Sequence, residues 1–361
     1  MLRKNIIRGL WIKTQSFLVF VTTSIKLKKT TNFKVYFGGA FGGDLGGPLV
    51  KVSRLQEFFP ENKVNFNLVY LLSNSPYLTP LSLSKIKSRN IPIILNQNGV
   101  YFKGWYGEGW QEKNKQLRPA YHFADYVFWQ SEFCKRSAEM FLGSRSDSGE
   151  ILFNAVDINK FAPSTKCENS EFTFLMTGKF IESAFYRVKG AIHSFYELQK
   201  YEPDTHLRIA GFIDKSSARK TQQLIDSLNL HGKISLLGSY NQNQAPGIYS
   251  SADAFLMLKY MDASPNVVIE AMASGLPIIY SFTGGVPELV GQNGGIGLKQ
   301  NESWELEPHC PDPGLVSEAM RAVILNQKFF SMAARTRAIE FFDISKWITR
   351  HREVFGALHE K

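Results

Sequence analysis

Short apolar runs alternate with amphipathic stretches along most of the chain, the rhythm of parallel α/β units. In the first half the runs are Phe33–Phe37, Asn67–Leu72, Ile91–Leu95, Tyr126–Gln130 and Glu150–Phe153. In the second half they are Phe172–Met176, Leu207–Ala210, Ile234–Leu237, Ala254–Leu258 and Pro277–Tyr280. Stretches of helical periodicity lie between them, such as Leu49–Phe59, Phe133–Phe141, Ala191–Leu198 and Thr221–Leu230. Ser345–Leu358, with Trp347, Ile348 and Phe355, reads as a closing helix. The polar stretch Phe161–Ser170 contains Pro163 and interrupts the rhythm. The pattern predicts two doubly wound, Rossmann-like α/β domains, 33–165 and 166–340, facing each other across a cleft. Ligands of such sheets bind at the carboxyl ends of the strands. Residues 1–32 and the closing segment 341–361 stand outside the two domains.

Composition adds little until it is divided along the chain. With 44% apolar and 20% charged residues in 361, the chain is an ordinary globular one. Its three cysteines, Cys134, Cys167 and Cys310, are too scattered for a metal knuckle or a disulfide framework, which fits a reducing, cytoplasmic setting. The net charge of +10 belongs to one end: residues 1–43 hold eight Lys/Arg and no acid, while the other 34 basic and 32 acidic residues nearly cancel.

Twelve uncharged residues separate Lys13 from Lys26, including Phe17-Leu18-Val19-Phe20-Val21. Roughly 18–20 apolar residues are needed to span a bilayer, so this stretch is too short. Lys26-Leu27-Lys28-Lys29 follows it where a signal peptide would have a small-x-small cleavage site. On a helix, Leu10, Phe17, Leu18, Val21 and Ile25 share one face with Trp11 beside them. Two readings stand: residues 1–30 lie on an anionic membrane surface, making the protein peripheral, or they pack on the first domain. Nothing in the chain matches a nucleic-acid-binding motif, so no nucleic-acid partner is expected.

The most informative stretch is Asp262-Ala263-Ser264-Pro265-Asn266-Val267-Val268-Ile269-Glu270-Ala271-Met272-Ala273-Ser274-Gly275, directly after an apolar strand. Ser264 suits an N-cap and Pro265 the first helical position. The amides of Asn266, Val267 and Val268 would then face a phosphate or sugar hydroxyls. Glu270, a turn further in, can accept two hydrogen bonds from a vicinal diol, and Asp262 can reach the next moiety of the same ligand. In the first half, six glycines fall within residues 38–47, and Gly42 and Gly43 there allow the backbone to approach a ligand. No G-x-G-x-x-G register runs through this loop, which argues against a nicotinamide oxidoreductase. Five of residues 101–110 are aromatic, including Trp105 and Tyr106; with Gly104, Gly107 and Gly109 among them, they predict a hinged loop able to stack on an acceptor sugar, touch lipid or cover the core.

The stretch 262–275 resembles the E-x7-E region of glycosyltransferase family 4, retaining enzymes of the GT-B fold. The likeness continues through Gly275-Leu276-Pro277-Ile278-Ile279 and Gly284-Gly285-Val286-Pro287-Glu288. It also takes in Thr177-Gly178-Lys179, Lys189-Gly190, Ile209-Ala210-Gly211, Leu237-Gly238, Ala124-Asp125-Tyr126-Val127 and Asn154-Ala155-Val156-Asp157. In order and spacing these blocks cover about residues 36–358.

The resemblance implies roles position by position. Glu270 would hold the donor ribose and Asp262, one methylene shorter than the family's acid, the donor sugar. Lys179 stands where the family has Arg, and Lys189 matches its lysine; both would face the donor diphosphate, with Gly178 beside them. Gly42 and Gly43 would border the donor phosphate and the acceptor. After the strand Ile91–Leu95 the family often has a sugar-contacting histidine; here Asn96-Gln97-Asn98-Gly99 supplies amides, with Asn98 the candidate. The nearest histidine, His122, reads as a packed residue.

The implied activity is hexosyl transfer with retention from a nucleotide-diphosphate sugar, a co-substrate rather than a cofactor, to a glycan or lipid-linked acceptor. Envelope or polysaccharide synthesis is the setting, and no metal is expected. The substitutions at 179, 262 and the histidine position support a rival reading, a non-catalytic GT-B-like nucleotide- or glycan-binding protein.

Overall fold

The structure, a computed structural model, describes residues 2–24, 32–43, 47–145, 148–164 and 171–359. These divide into two compact units, one running to Phe153 and resuming at Ser345, the other spanning Asn154–Ile344.

The first unit holds a parallel sheet of β1 (Val35–Tyr36), β2 (Leu68–Leu72), β3 (Ile93–Gln97), β4 (Tyr126–Trp129) and β5 (Gly149–Ile151), in that spatial order. Val35 also bridges Glu61 in parallel, on the far side of β1. The chain therefore leaves β1 through the helix Gly47–Phe58 to one side and returns to β2 on the other. That reversal makes the unit doubly wound and places the glycine-rich turn after β1 at the switch point. All five residues of β2 and of β3 are buried, as expected for strands covered on both faces.

The second unit holds β6 (Phe172–Phe180), β7 (Thr205–Ile213), β8 (Ile234–Gly238), β9 (Ala254–Met257), β10 (Ile278–Phe282) and β11 (Gly295–Lys299). Their spatial order is β11-β10-β9-β6-β7-β8, all parallel. The winding runs outward from β6 to β8, then reverses to β9, so the switch point lies between β6 and β9. Phe174, Met176 and Phe180 of β6 pack with Val188, Ile192 and Phe195 of the helix Phe185–Gln199 and with Val316 and Met320 of the helix Pro313–Leu325.

Each apolar run forms a strand, with shifted ends. β6 and β7 run longer than expected because Gly178 pairs with Gly211 and the ladder continues to Phe180 and Ile213. Gly211 has φ +131°, and a Cβ there would lie 1.8 Å from the Gly178 carbonyl oxygen, so this pair of strand ends requires glycine. β11 escapes the pattern because its sequence, Gly-Ile-Gly-Leu-Lys, breaks the apolar run.

The unit boundary falls earlier than Phe161–Ser170. Asn154 and Val156 already belong to the second unit: Asn154 Nδ2 donates to Ser264 O at 3.3 Å and the Val156 amide to Phe342 O at 2.8 Å. Pro163 is fixed there too, against Gly275. Residues 165–170, and Cys167 with them, lie outside the described residues. The closing helix, Ile344–His359, is not a separate segment but joins the first unit from Ser345. Its Phe355 ring meets Phe33, Phe59 and Tyr70 at centroid distances of 5.8, 4.8 and 6.0 Å.

The first 24 residues hold the helix Leu2–Ser24, which packs on the first unit. Trp11 Nε1 donates to Gly39 O at 3.0 Å, the Tyr36 hydroxyl donates to Gln15 Oε1 at 2.7 Å, and Val19, Thr22 and Thr23 are buried. The opposite side exposes Ile6, Leu10, Phe17 and Val21, with Phe17 at 72%. Trp11 therefore belongs to the packed side, and Leu18 is half-buried. Ile25 and Lys26–Lys29 lie outside the described residues. Among the described residues no helix is long and apolar enough to cross a membrane.

Candidate active site

Glu270 lies in the helix Asn266–Ala273, which is buried from Val268 onward; Glu270 itself is 3% exposed. Its Oε2 accepts a hydrogen bond from the buried Tyr249 hydroxyl at 3.1 Å. That hydroxyl also lies 3.2 Å from Thr177 Oγ1, near the carboxyl end of β6. Burial, then the Glu270 charge, pushes the Tyr249 pKa well above the ordinary range, so the phenol stays protonated and serves as donor. The carboxylate is thus held beside the switch point, on a helix with no other acid.

The helix entry differs from expectation. Helical geometry begins at Asn266; Pro265, with φ −75° and ψ 120°, is the capping position, and no side chain caps it. Ser264 cannot cap because it faces Asn154, whose Nδ2 reaches its carbonyl at 3.3 Å and its hydroxyl at 3.5 Å. The Val268 amide donates to Pro265 O at 3.1 Å, which removes it from the set of expected ligand donors. Asn266 brings in something the pattern did not show, a buried Oδ1 with no partner among the described residues.

Asp262 sits in the loop after β9, its Oδ2 2.6 Å from Lys259 Nζ. Its backbone carbonyl accepts from the Gly285 amide at 2.8 Å. Gly284, at φ +68°, would place a Cβ 2.4 Å from that same carbonyl, which accounts for the Gly284-Gly285 pair. The loop holding Asp262 is fixed further by the Met261 amide, which donates to Thr283 Oγ1 at 2.9 Å.

Lys179, beyond Gly178 in β6, is exposed, with Nζ 5.8 Å from the Phe212 ring across the ladder. Lys189 is exposed on the helix Phe185–Gln199, and Gly190 beside it is buried where a Cβ would lie 2.5 Å from Cys310 Sγ. Two residues earlier, Arg187 is buried. The sequence reading missed it, although the signal was there: Arg187 heads the stripe Arg187, Ala191, Ser194, Leu198, the buried side of that helix. Asp262, Glu270, Gly178 and the start of the helix Asn266–Ala273 thus cluster around the carboxyl ends of β6 and β9. Among the described residues, no group of three or more His, Cys, Asp or Glu could hold a metal ion.

The first unit offers a different surface. Gly38 and Gly39 have φ of +62° and +82°, and a Cβ would lie 2.5 Å from Leu71 and 2.6 Å from Gln15 respectively. Gly42 is exposed, although a Cβ there would lie 2.7 Å from Ser53 Oγ, and the Gly43 amide donates to Leu49 O at 3.2 Å. Asp44–Gly46 lie outside the described residues. Asn98 is tied locally: its amide donates to Ser73 Oγ at 3.0 Å and its Oδ1 accepts from the Gly99 amide at 2.8 Å. Part of the expected aromatic loop is a single helical turn, Lys103–Tyr106, with Trp105 stacked on Tyr101 at 5.3 Å and Trp105 and Tyr106 left 48% and 40% exposed. His122 is not packed inside: it is exposed, with Nε2 2.9 Å from Leu142 O.

Beneath this surface lies a second residue that sequence reading missed. Lys51 is buried, its Nζ donates to Asn96 Oδ1 at 2.7 Å, and burial brings its pKa down to about 7. Nearby, the Tyr70 hydroxyl and His351 Nε2 are 3.0 Å apart, and burial lowers the His351 pKa to about 3.

Residues 157–307 match the family model for glycosyl transferases group 1. An uncharacterized glycosyltransferase of Methanocaldococcus jannaschii is 28% identical over 171 residues, 44% of this chain and 40% of the relative. The UDP-Gal:alpha-D-GlcNAc-diphosphoundecaprenol alpha-1,3-galactosyltransferase of Escherichia coli is 27% identical over 151 residues, 37% of each chain. The chain thus spans two fifths or less of the length of these curated relatives. Among solved structures, Anabaena HepE in complex with UDP superposes with a TM-score of 0.66 at 15% identity, covering 86% of this chain and 82% of that one. This likeness is one of fold, and the fold is GT-B, with two Rossmann-like units.

Proposed function

We propose that the chain is a retaining, metal-independent glycosyltransferase of family 4, moving a sugar from a nucleotide-diphosphate sugar to a glycan or lipid-linked acceptor. The observation that carries this is the buried Glu270 carboxylate, fixed by Tyr249 beside the switch point of a 3-2-1-4-5-6 type sheet. Nucleotides bind such sheets at that point, and a buried carboxylate there suits the paired hydroxyls of ribose. The glycosyl transferases group 1 match covers this same region, and HepE was crystallised with UDP and with UDP-glucose.

In this reading the nucleotide lies along the carboxyl edge of β6 and β9. As the anomeric C–O bond stretches, negative charge grows on the leaving diphosphate and is met by cations of this edge and by amides at Asn266 and Val267. Lys179 and Lys189 are the cations nominated by the resemblance. Asp262, oriented by Lys259, contacts the sugar hydroxyls. The acceptor hydroxyl attacks on the face the phosphate leaves, and a phosphate oxygen takes its proton, so no second carboxylate is needed at nucleophile distance.

The acceptor side falls to the first unit, where Gly42 and Gly43 border it and Asn98, Trp105 and Tyr106 supply amide and aromatic contacts. The relative from Escherichia coli is named for a diphosphoundecaprenol acceptor, which supports a lipid-linked acceptor and an envelope role here. The exposed stripe Ile6, Leu10, Phe17, Val21 supports contact with an anionic membrane surface from the cytoplasmic side.

The test is turnover of a panel of UDP- and GDP-sugars by the purified chain. Release of the nucleoside diphosphate from at least one donor is expected. Binding without any hydrolysis or transfer would favour the non-catalytic alternative, and no binding would overturn the reading.

A further inference from the structure

Arg187 is a charged group without the company that buried charge requires. It is 5% exposed, in the first turn of the helix Phe185–Gln199, with its guanidinium 5.0 Å from the Phe180 ring. A guanidinium has five N–H donors. Among the described residues one bond is made, from Nη2 to Thr177 O at 3.3 Å, and the buried Nε has no partner. Asp262 acts on it through space, yet that carboxylate closes on Lys259 at 2.6 Å, and no ion pair with Arg187 forms among the described residues. Burying a charge with its hydrogen bonds unmade is costly, and a single partner at the long end of the range offsets little of that cost.

The surroundings keep one approach open. A Cβ on Gly178 would lie 3.1 Å from Nη1 and 3.3 Å from Nη2, so the glycine leaves that edge of the guanidinium uncovered. Gly178 is at the carboxyl end of β6, at the switch point of the sheet. The two lysines do not duplicate this position. Lys179 lies out over Phe212, and Lys189, two residues along the helix, emerges about 200° around the axis from Arg187.

We propose that Arg187 is the principal diphosphate-binding residue of this chain, its open fork receiving phosphate oxygens of the nucleotide donor beside Gly178. The proposal rests on the donor-site reading above and assigns the guanidinium that the Lys179 position lacks. A planar fork binds phosphate in two parallel hydrogen bonds, which a lysine cannot do.

Calorimetry with UDP and GDP, and with uridine and guanosine, on wild type, Arg187→Met and Arg187→Lys tests it, together with melting of each ligand-free protein. Arg187→Met is expected to weaken binding of the preferred diphosphate by about 30-fold or more while leaving nucleoside affinity unchanged. Its ligand-free melting temperature should equal or exceed wild type, because an uncompensated charge has been removed. Arg187→Lys should fall between the two, and it carries the test if Arg187→Met does not fold. Diphosphate affinity within twofold of wild type in the folded variants would overturn the proposal alone. Equal losses for nucleoside and diphosphate with a lowered melting temperature would make Arg187 a structural residue. Failure of wild type to bind either diphosphate would overturn the donor-site reading as well.

Discussion

The carboxyl edges of the two sheets differ in chemistry although both are parallel and doubly wound. At the edge of β6 and β9, Arg187, Asp262 and Glu270 bring charge to the switch point, and Arg187 Nε and Asn266 Oδ1 lie buried without partners among the described residues. At the edge of β1 and β3 stand glycines, the amides of Asn96, Gln97 and Asn98, and exposed aromatic rings, with Lys51 buried beneath. The first edge suits a charged diphosphate and a ribose, the second the hydroxyls and apolar parts of an acceptor. A site for charge must hold charges in place before the ligand arrives, whereas a site for hydroxyls needs only amides, rings and room.

The comparison breaks most sharply at Glu270. Glu270→Gln keeps an acceptor for Tyr249 but removes the charge, so donor turnover should fall at least about 100-fold with melting little changed. Steady-state kinetics beside thermal melting checks this, and near-normal turnover would remove Glu270 from the site. Replacing Ile6, Leu10, Phe17 and Val21 with Ser should cut sedimentation with anionic vesicles about tenfold or more. Because all four are exposed, melting should stay within a degree or two of wild type.

The buried histidine of the first unit predicts acid sensitivity. His351, with its pKa lowered to about 3 by burial and by the nearby Lys51 charge, stays unprotonated when folded, while the unfolded chain takes up a proton below its ordinary value. Its contribution is therefore intact above about pH 6.5 and is lost as pH falls toward the folded value. His351→Gln should flatten the decline in denaturant midpoint between pH 7 and 4; an unchanged slope would contradict the assignment. The smallest effect is expected from Trp105→Ala, a rise in acceptor KM of roughly fivefold with the donor KM unchanged.

How much was legible follows the same division. β2, β3, β6 and β9 show as apolar runs because parallel strands buried on both faces need them. Glu270 stands out because an acid in an otherwise apolar helix contradicts its surroundings. Arg187 and Lys51 contradict theirs in the same way, Lys51 between Val50 and Val52 and Arg187 on the buried stripe of its helix, but neither falls in a recognisable motif, and Lys189-Gly190 draws the eye away from Arg187. Tyr249, which anchors Glu270, leaves no mark at all, since a lone tyrosine in Ile248-Tyr249-Ser250-Ser251 belongs to no motif. Ser264 departs from the expected capping role because the partner that claims it, Asn154, is 110 residues away. The domain boundary moved for a similar reason: Asn154 and Val156 are held by residues far along the chain.

A crystal structure of the chain with the UDP or GDP that stabilises it tests the central claim most directly. The account predicts ribose hydroxyls within about 2.5–3.2 Å of the Glu270 carboxylate and the diphosphate at the carboxyl ends of β6 and β9. A nucleotide bound elsewhere, with Glu270 still enclosed by Tyr249 and touching no ligand, would contradict it.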